Sequence, residues 1–105
     1  MIARPNTDQE GFLTNLASWN EETAAWLASN EGIELDEAHW EIIWLVRRFY
    51  QDYKLSPAMR PLVKSVRQQL GDDKASSIYL LGLFPGSPAK LAAKIAGLPK
   101  PENCL

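Results

Sequence analysis

One thiol dominates the chemistry this sequence offers. Cys104 is the only cysteine and stands next to last, in the run GLPKPENCL over residues 97–105. A thiol reacts as its thiolate, which is the nucleophile. On an exposed tail it has no core to pack into, and an idle exposed thiol is an oxidation liability. Pro99 and Pro101 stiffen the tail toward an extended conformation. Residues 98–105, fully extended as polyproline II, would reach on the order of 20–25 Å at ~3.1 Å per residue. That reach would carry the sulfur into another protein's active site. The adjacent C-terminal carboxylate is expected to raise the thiol pKa, with Lys100 or a partner's basic pocket opposing it. This is the chemistry of a carrier activated inside a partner. Cys104 is its reacting residue and Lys100 its electrostatic support.

Other reactive types are sparse. His39 is the only histidine and lies beside Trp40, just after Asp36. A Cys–His pair would require the tail to fold back onto it. The alternative is a histidine that supports a helix start or packs against neighbours. One cysteine and one histidine do not supply the three or four protein ligands of a zinc site within one chain, so no metal or cofactor is expected. Arg60, Lys64 and Arg67 recur at helical spacing as one basic stripe. The stripe reads either as a docking surface for phosphate or an acidic partner, or as a solvated face. The spacing of Trp19 with Trp26, and of Trp40 with Trp44, reads as core. Glycine-rich phosphate loops, nucleophile elbows and paired-carboxylate motifs are absent from the sequence.

The elements that must position these residues fit one domain of 105 residues. A hydrophobic share of 46% and a charged share of 23% are those of an ordinary globular chain. The longest uncharged stretch, residues 75–89, is broken by serine, glycine and proline and does not form a bilayer span. A lone cysteine and no signal-like start predict a reducing, cytoplasmic setting, with a monomer favoured. Residues 1–53 carry three arginines against ten acids, net −7. Residues 54–105 carry eight lysines and arginines against three acids, net +5. Such asymmetry suits an anionic partner or simply two differently solvated faces.

The punctuation is helical. Asn20 caps a helix opened by Glu21 and Glu22, and Gly32 follows its end. Asp36 caps a second helix, whose apolar pattern runs from Trp40 to Tyr53. Ser56 reads as the N-cap of a third helix, with Pro57 at its first position, ended by Gly71, and Pro61 pushes its regular part later. Asp72 or Asp73 is expected to cap a fourth helix toward Phe84. Ser87-Pro88 opens a fifth, alanine-rich helix stopped by Gly97. Asp8 to Gly11 predicts the turn of a small hairpin returning through Phe12 and Leu13. The expected fold is mainly α: about five helices in an orthogonal, helix-turn-helix-like bundle, with a small N-terminal β-hairpin. Residues 1–97 form the domain and 98–105 a flexible C-terminal arm.

Six stretches occur in a telling order: DQEGFL (8–13), EGIELDEAHWE (31–41), RRFY (47–50), SPAMRPLVK (56–64), LFPGSPAK (83–90) and KIAGLPKPENC (94–104). On these the chain resembles the DsrC/TusE family of sulfur-relay proteins. The resemblance implies a helical fold with a small hairpin and a mobile arm, and a sulfurtransferase role with Cys104 carrying sulfur as a persulfide. In the DsrC branch, which works with dissimilatory sulfite reductase, a second cysteine lies eleven residues before the penultimate one. That position here is Ala93, which leaves one-thiol chemistry. In the TusE branch the terminal cysteine suffices. It takes sulfur from upstream relay proteins and passes it to the tRNA thiouridylase that makes wobble 2-thiouridine. A DsrC-like partner of sulfite reductase or of sulfur oxidation, and a non-enzymatic regulatory or DNA-binding module, remain alternatives.

Overall fold

The computed structural model describes residues 5–102. Five helices follow in order: α1 Glu21–Asn30, α2 Glu37–Tyr53, α3 Met59–Leu70, α4 Ser77–Leu83 and α5 Pro88–Ile95. Short 3-10 turns occupy Leu16–Ser18 and Asp72–Lys74.

Local chemistry explains the helix starts. The Asn20 side chain accepts the amide of Thr23 at the head of α1. Asp36 accepts the amide of His39 at the head of α2, and Ser76 that of Tyr79 at the head of α4. The longest helix, α2, turns Ile42, Ile43, Leu45 and Val46 inward. It ends at Lys54, whose φ of 59° is left-handed.

The core sits around α5. Its inward residues are small: Ala89, Ala92 and Ala93 are buried along with Ile95. Alanine lets neighbouring backbones approach closely, and α1, α2, α3 and α4 all pack against this one short helix. Leu27, Ile42, Ile43, Leu62, Leu80 and Phe84 fill the space between them.

Three expectations change. First, no N-terminal strand forms among the described residues; Thr7 and Leu13 make a single isolated antiparallel bridge. The chain does reverse there, because the Asp8 carboxylate accepts the amides of Glu10 and Phe12. Asn15 then caps a 3-10 turn immediately after Thr14, so the return segment is too short for a ladder. Second, Ser56 does not cap α3. That helix starts at Met59 without a side-chain cap. Pro61 is its third residue, in the turn whose amides have no helical acceptor, so it fits without breaking a bond. Third, Asp72 and Asp73 form a separate 3-10 turn, and α4 waits for the better-placed hydroxyl of Ser76.

Candidate functional site

The segment from Gly97 to Pro101, which leads toward Cys104, is seated from the end of α5 onward. Gly97 adopts a left-handed φ of 73°. Its amide donates to the carbonyl of Lys94 at 3.1 Å, and that of Leu98 to the carbonyl of Ala93 at 2.9 Å. Together these bonds make a Schellman ending, with Leu98 buried beneath it. Two carbonyls left over at the end of the helix meet side chains from distant elements. The Trp19 indole N–H donates to Ile95 at 2.9 Å. Arg47 Nη1 donates to Ala96 at 2.6 Å.

Arg47 also lies over the ring of Trp19, with its guanidinium carbon 3.8 Å from the ring centroid. Burial lowers the Arg47 pKa from its ordinary value. Among the described residues no carboxylate pairs with it. The π face of Trp19 and the negative end of α5 stabilise its charge instead. Trp44 meets the edge of Trp19 at 5.5 Å and stacks on Trp40 at 5.6 Å, so an aromatic cluster backs the stop.

Residues 98–101 then run along the body. The Ser56 hydroxyl, itself buried, donates to the carbonyl of Pro99 at 2.5 Å. Lys100 Nζ lies 2.9 Å from Glu10 Oε2, and Pro101 is buried. Lys90 approaches the same carboxylate at 3.8 Å. The hydrogen bond and charge of Lys100 hold the Glu10 carboxyl below its ordinary pKa. Beneath this turn Lys94 is buried, paired with Glu31 at 3.2 Å and 5.1 Å from the centre of the Phe12 ring.

His39 is structural in this geometry. Its Nε2 donates to the carbonyl of Leu83 at 2.8 Å, and its ring meets Phe84 edge-on at 5.3 Å. Its Nδ1 lies 3.2 Å from the Asp36 amide and 2.9 Å from the Asp36 carboxylate, closing a capping box. The hydrogen bond from the His39 backbone amide is the main cause that lowers the Asp36 pKa. One side chain thus ties the start of α2 to the end of α4.

The basic stripe divides. Arg60 and Lys64 line an open groove between α2 and α3 with Phe49 and Tyr53. Arg67 does not line it; its Nε lies 3.3 Å from Asp72. Cys104, the residue expected to react, lies outside the described residues. Among the described residues no cluster of three or more histidine, cysteine, aspartate or glutamate side chains is placed to hold a metal.

The profile described as "DsrC like protein" matches residues 3–105.

The chain belongs to the DsrC-like family.

It is 54% identical over 99 residues to the sulfurtransferase TusE homolog of Haemophilus influenzae, covering 94% of this chain and 91% of that protein. It is 54% identical over 100 residues to the sulfurtransferase TusE of Sodalis glossinidius, covering 95% and 93%. The solution structure of Allochromatium vinosum DsrC superposes with a TM-score of 0.85 at 45% identity, over 94% of this chain and 88% of that one. The oxidised γ-subunit of dissimilatory sulfite reductase (DsrC) from Archaeoglobus fulgidus gives 0.83 at 39% identity, over 96% and 92%. No helix among the described residues is long and apolar enough to cross a membrane.

Sequence reasoning missed Trp19, Arg47, Ser56 and Glu10 in this DsrC-like tail. Trp19 was expected in the core, yet it serves as a hydrogen-bond donor and a stacking plate. Its position just before the helix cap Asn20, ahead of the helix itself, was the available signal.

Proposed function

We propose that the protein is a sulfur carrier in which Cys104 accepts sulfane sulfur as a persulfide and relays it to an acceptor. The observation that carries this reading is the fixed exit of the tail. The Schellman ending at Gly97, held by Trp19 and Arg47, delivers a tail with one thiol three residues past the seated segment. A rigid exit aims a short reactive arm without the entropy cost of a floppy one. The names of the sulfurtransferase relatives, similar over nearly the whole chain, support it.

The chemistry balances without an added oxidant. The Cys104 thiolate attacks the outer sulfur of a donor persulfide. The S–S bond of the donor breaks, the donor thiolate leaves, and Cys104 holds the sulfane sulfur. In delivery an acceptor nucleophile attacks that sulfur and Cys104 departs as thiolate. Lys100 and the groove cations Arg60 and Lys64 are docking residues in this reading. The acceptor we favour is the thiouridylase acting on the tRNA wobble base, with upstream relay proteins as donor.

A second reading, partnership with a sulfite-reductase-type complex, draws on solved relatives named as the γ-subunit of dissimilatory sulfite reductase and as dissimilatory sulfite reductase I. Ala93 weighs against its two-thiol form, because the position is fully buried and carries a methyl group. Replacing Cys104 by serine in cells should abolish 2-thiouridine in tRNA while the protein stays folded. Undiminished 2-thiouridine would remove the tRNA reading.

A further inference from the structure

The groove between α2 and α3 sets aromatic rings beside the two docking cations Arg60 and Lys64, and docking by charge alone leaves those rings unused. Its volume is about 460 Å³. On one wall Phe49 and Tyr53 lie one helical turn apart with ring centroids 4.6 Å apart, and Tyr53 is 62% exposed. On the other wall are Arg60 and Lys64, both exposed. Gln68 continues that wall, and no carboxylate lines the groove. Among the described residues neither Arg60 nor Lys64 has an ion-pair partner, whereas Arg48 and Arg67 each have one.

The placement of these cations works against the helix that carries them. Arg60 is the second residue of α3, at the positive end of its dipole, and the first turn holds no acid and no side-chain cap. Helix starts ordinarily collect carboxylates, as α1 does with Glu21 and Glu22. Positive side chains and a positive helix end therefore concentrate field in one groove, on a chain whose net charge is −2.

We infer that this groove binds an unpaired RNA segment, with phosphates on Arg60 and Lys64 and a base stacked on Tyr53. An acidic peptide would satisfy the cations but leave the aromatic face unused. Stacking on an exposed ring beside paired cations is how proteins hold single strands. Gln68 adds donor and acceptor groups at the same edge. The inference rests on the proposed function for its biological setting, an RNA-bound acceptor, but the groove exists independently of the thiol.

The test uses the full chain with Cys104→Ser, which removes sulfur chemistry from the readout. An RNA hairpin with an unpaired loop, and a fully paired RNA duplex, are titrated while amide shifts and binding are followed. Loop RNA should shift Phe49, Tyr53 and the groove-lining residues of α3 from Arg60 to Gln68, and bind more tightly than the duplex. Arg60→Gln with Lys64→Gln should lower the salt slope by about 1.4, for two single-strand phosphate contacts. Tyr53→Ala should weaken loop binding about tenfold and leave duplex binding alone. The double glutamine variant should melt no lower than its parent, because it relieves charge repulsion at the helix start. Loop RNA that shifts no groove residue, or variants that bind it as well as the parent, would overturn the inference. So would a polyglutamate peptide matching loop RNA in affinity. A persulfide on wild-type Cys104 with no RNA binding defeats the groove alone; RNA binding with no persulfide defeats the carrier alone.

Discussion

The indole of Trp19 occupies the space that any side chain at Gly97 would need. A Cβ built on Gly97 would lie 2.4 Å from Trp19 Cδ1, well inside contact distance. The same indole donates its N–H to Ile95, so the ring cannot move aside without leaving a carbonyl unpaired. Glycine is required twice here, once for the φ of 73° and once for the ring.

Gly97→Ala should therefore cost more than the ~1–2 kcal/mol of a left-handed alanine, because ring displacement adds to it. Thermal denaturation checks this, with Gly32→Ala as the control. Gly32 is left-handed as well but has open space around it. Equal losses at the two positions would mean that the Trp19 contact contributes nothing.

Removing the Arg47 guanidinium strands the Ala96 carbonyl and uncovers Trp19. Arg47→Ala should destabilise the fold by about 2–3 kcal/mol, adding a charge-assisted bond to a stacking contact. Arg47→Lys keeps the charge but not the plane and should recover only part. Urea unfolding of the two variants reads the difference. Full recovery by lysine would show that charge alone matters.

The Lys100–Glu10 pair makes the seating of the tail depend on pH. The folded-state pKa of Glu10 is depressed, so its contribution is present above the ordinary value of 4.5 and is lost as pH falls through the lower folded value. Asp36 behaves with the same sign relative to 3.8. In an NMR titration Glu10 should titrate below 4.5, and Lys100→Ala should move it back toward that value. A Glu10 titration indifferent to Lys100 would show that the pair does not form in solution.

His39→Ala should cost roughly 1–3 kcal/mol, the penalty for leaving the Leu83 carbonyl without its donor, together with a weaker α2 cap. Hydrogen exchange should then quicken at the start of α2 and the end of α4 together. Faster exchange confined to α2 would mean that the bond to Leu83 is idle.

What was legible in the sequence was local. Asp36 announced α2 and Gly97 announced the end of α5, because caps and stops act over one helical turn. His39 was open to a supporting role for the same reason. The seat of the tail was not legible, because its contacts join distant residues with no periodic signal. Trp19 reaches Ile95 across 76 positions and Ser56 reaches Pro99 across 43. Ser56 was misread as a helix cap because Ser-Pro is a strong local signal, and only the folded chain shows its hydroxyl turned to the tail. The hairpin expectation failed by length: Asn15 starts a new turn before strands can pair.

The central claim is that Cys104 carries sulfur, and intact-protein mass spectrometry tests it most directly. The wild-type chain is incubated with a competent persulfide donor and compared with Cys104→Ser. The account predicts a gain of one sulfur atom on the wild-type chain, removed by a reducing thiol and absent from the serine variant. A donor that loses its sulfur while Cys104 gains none, or a serine variant that gains as much, would contradict it.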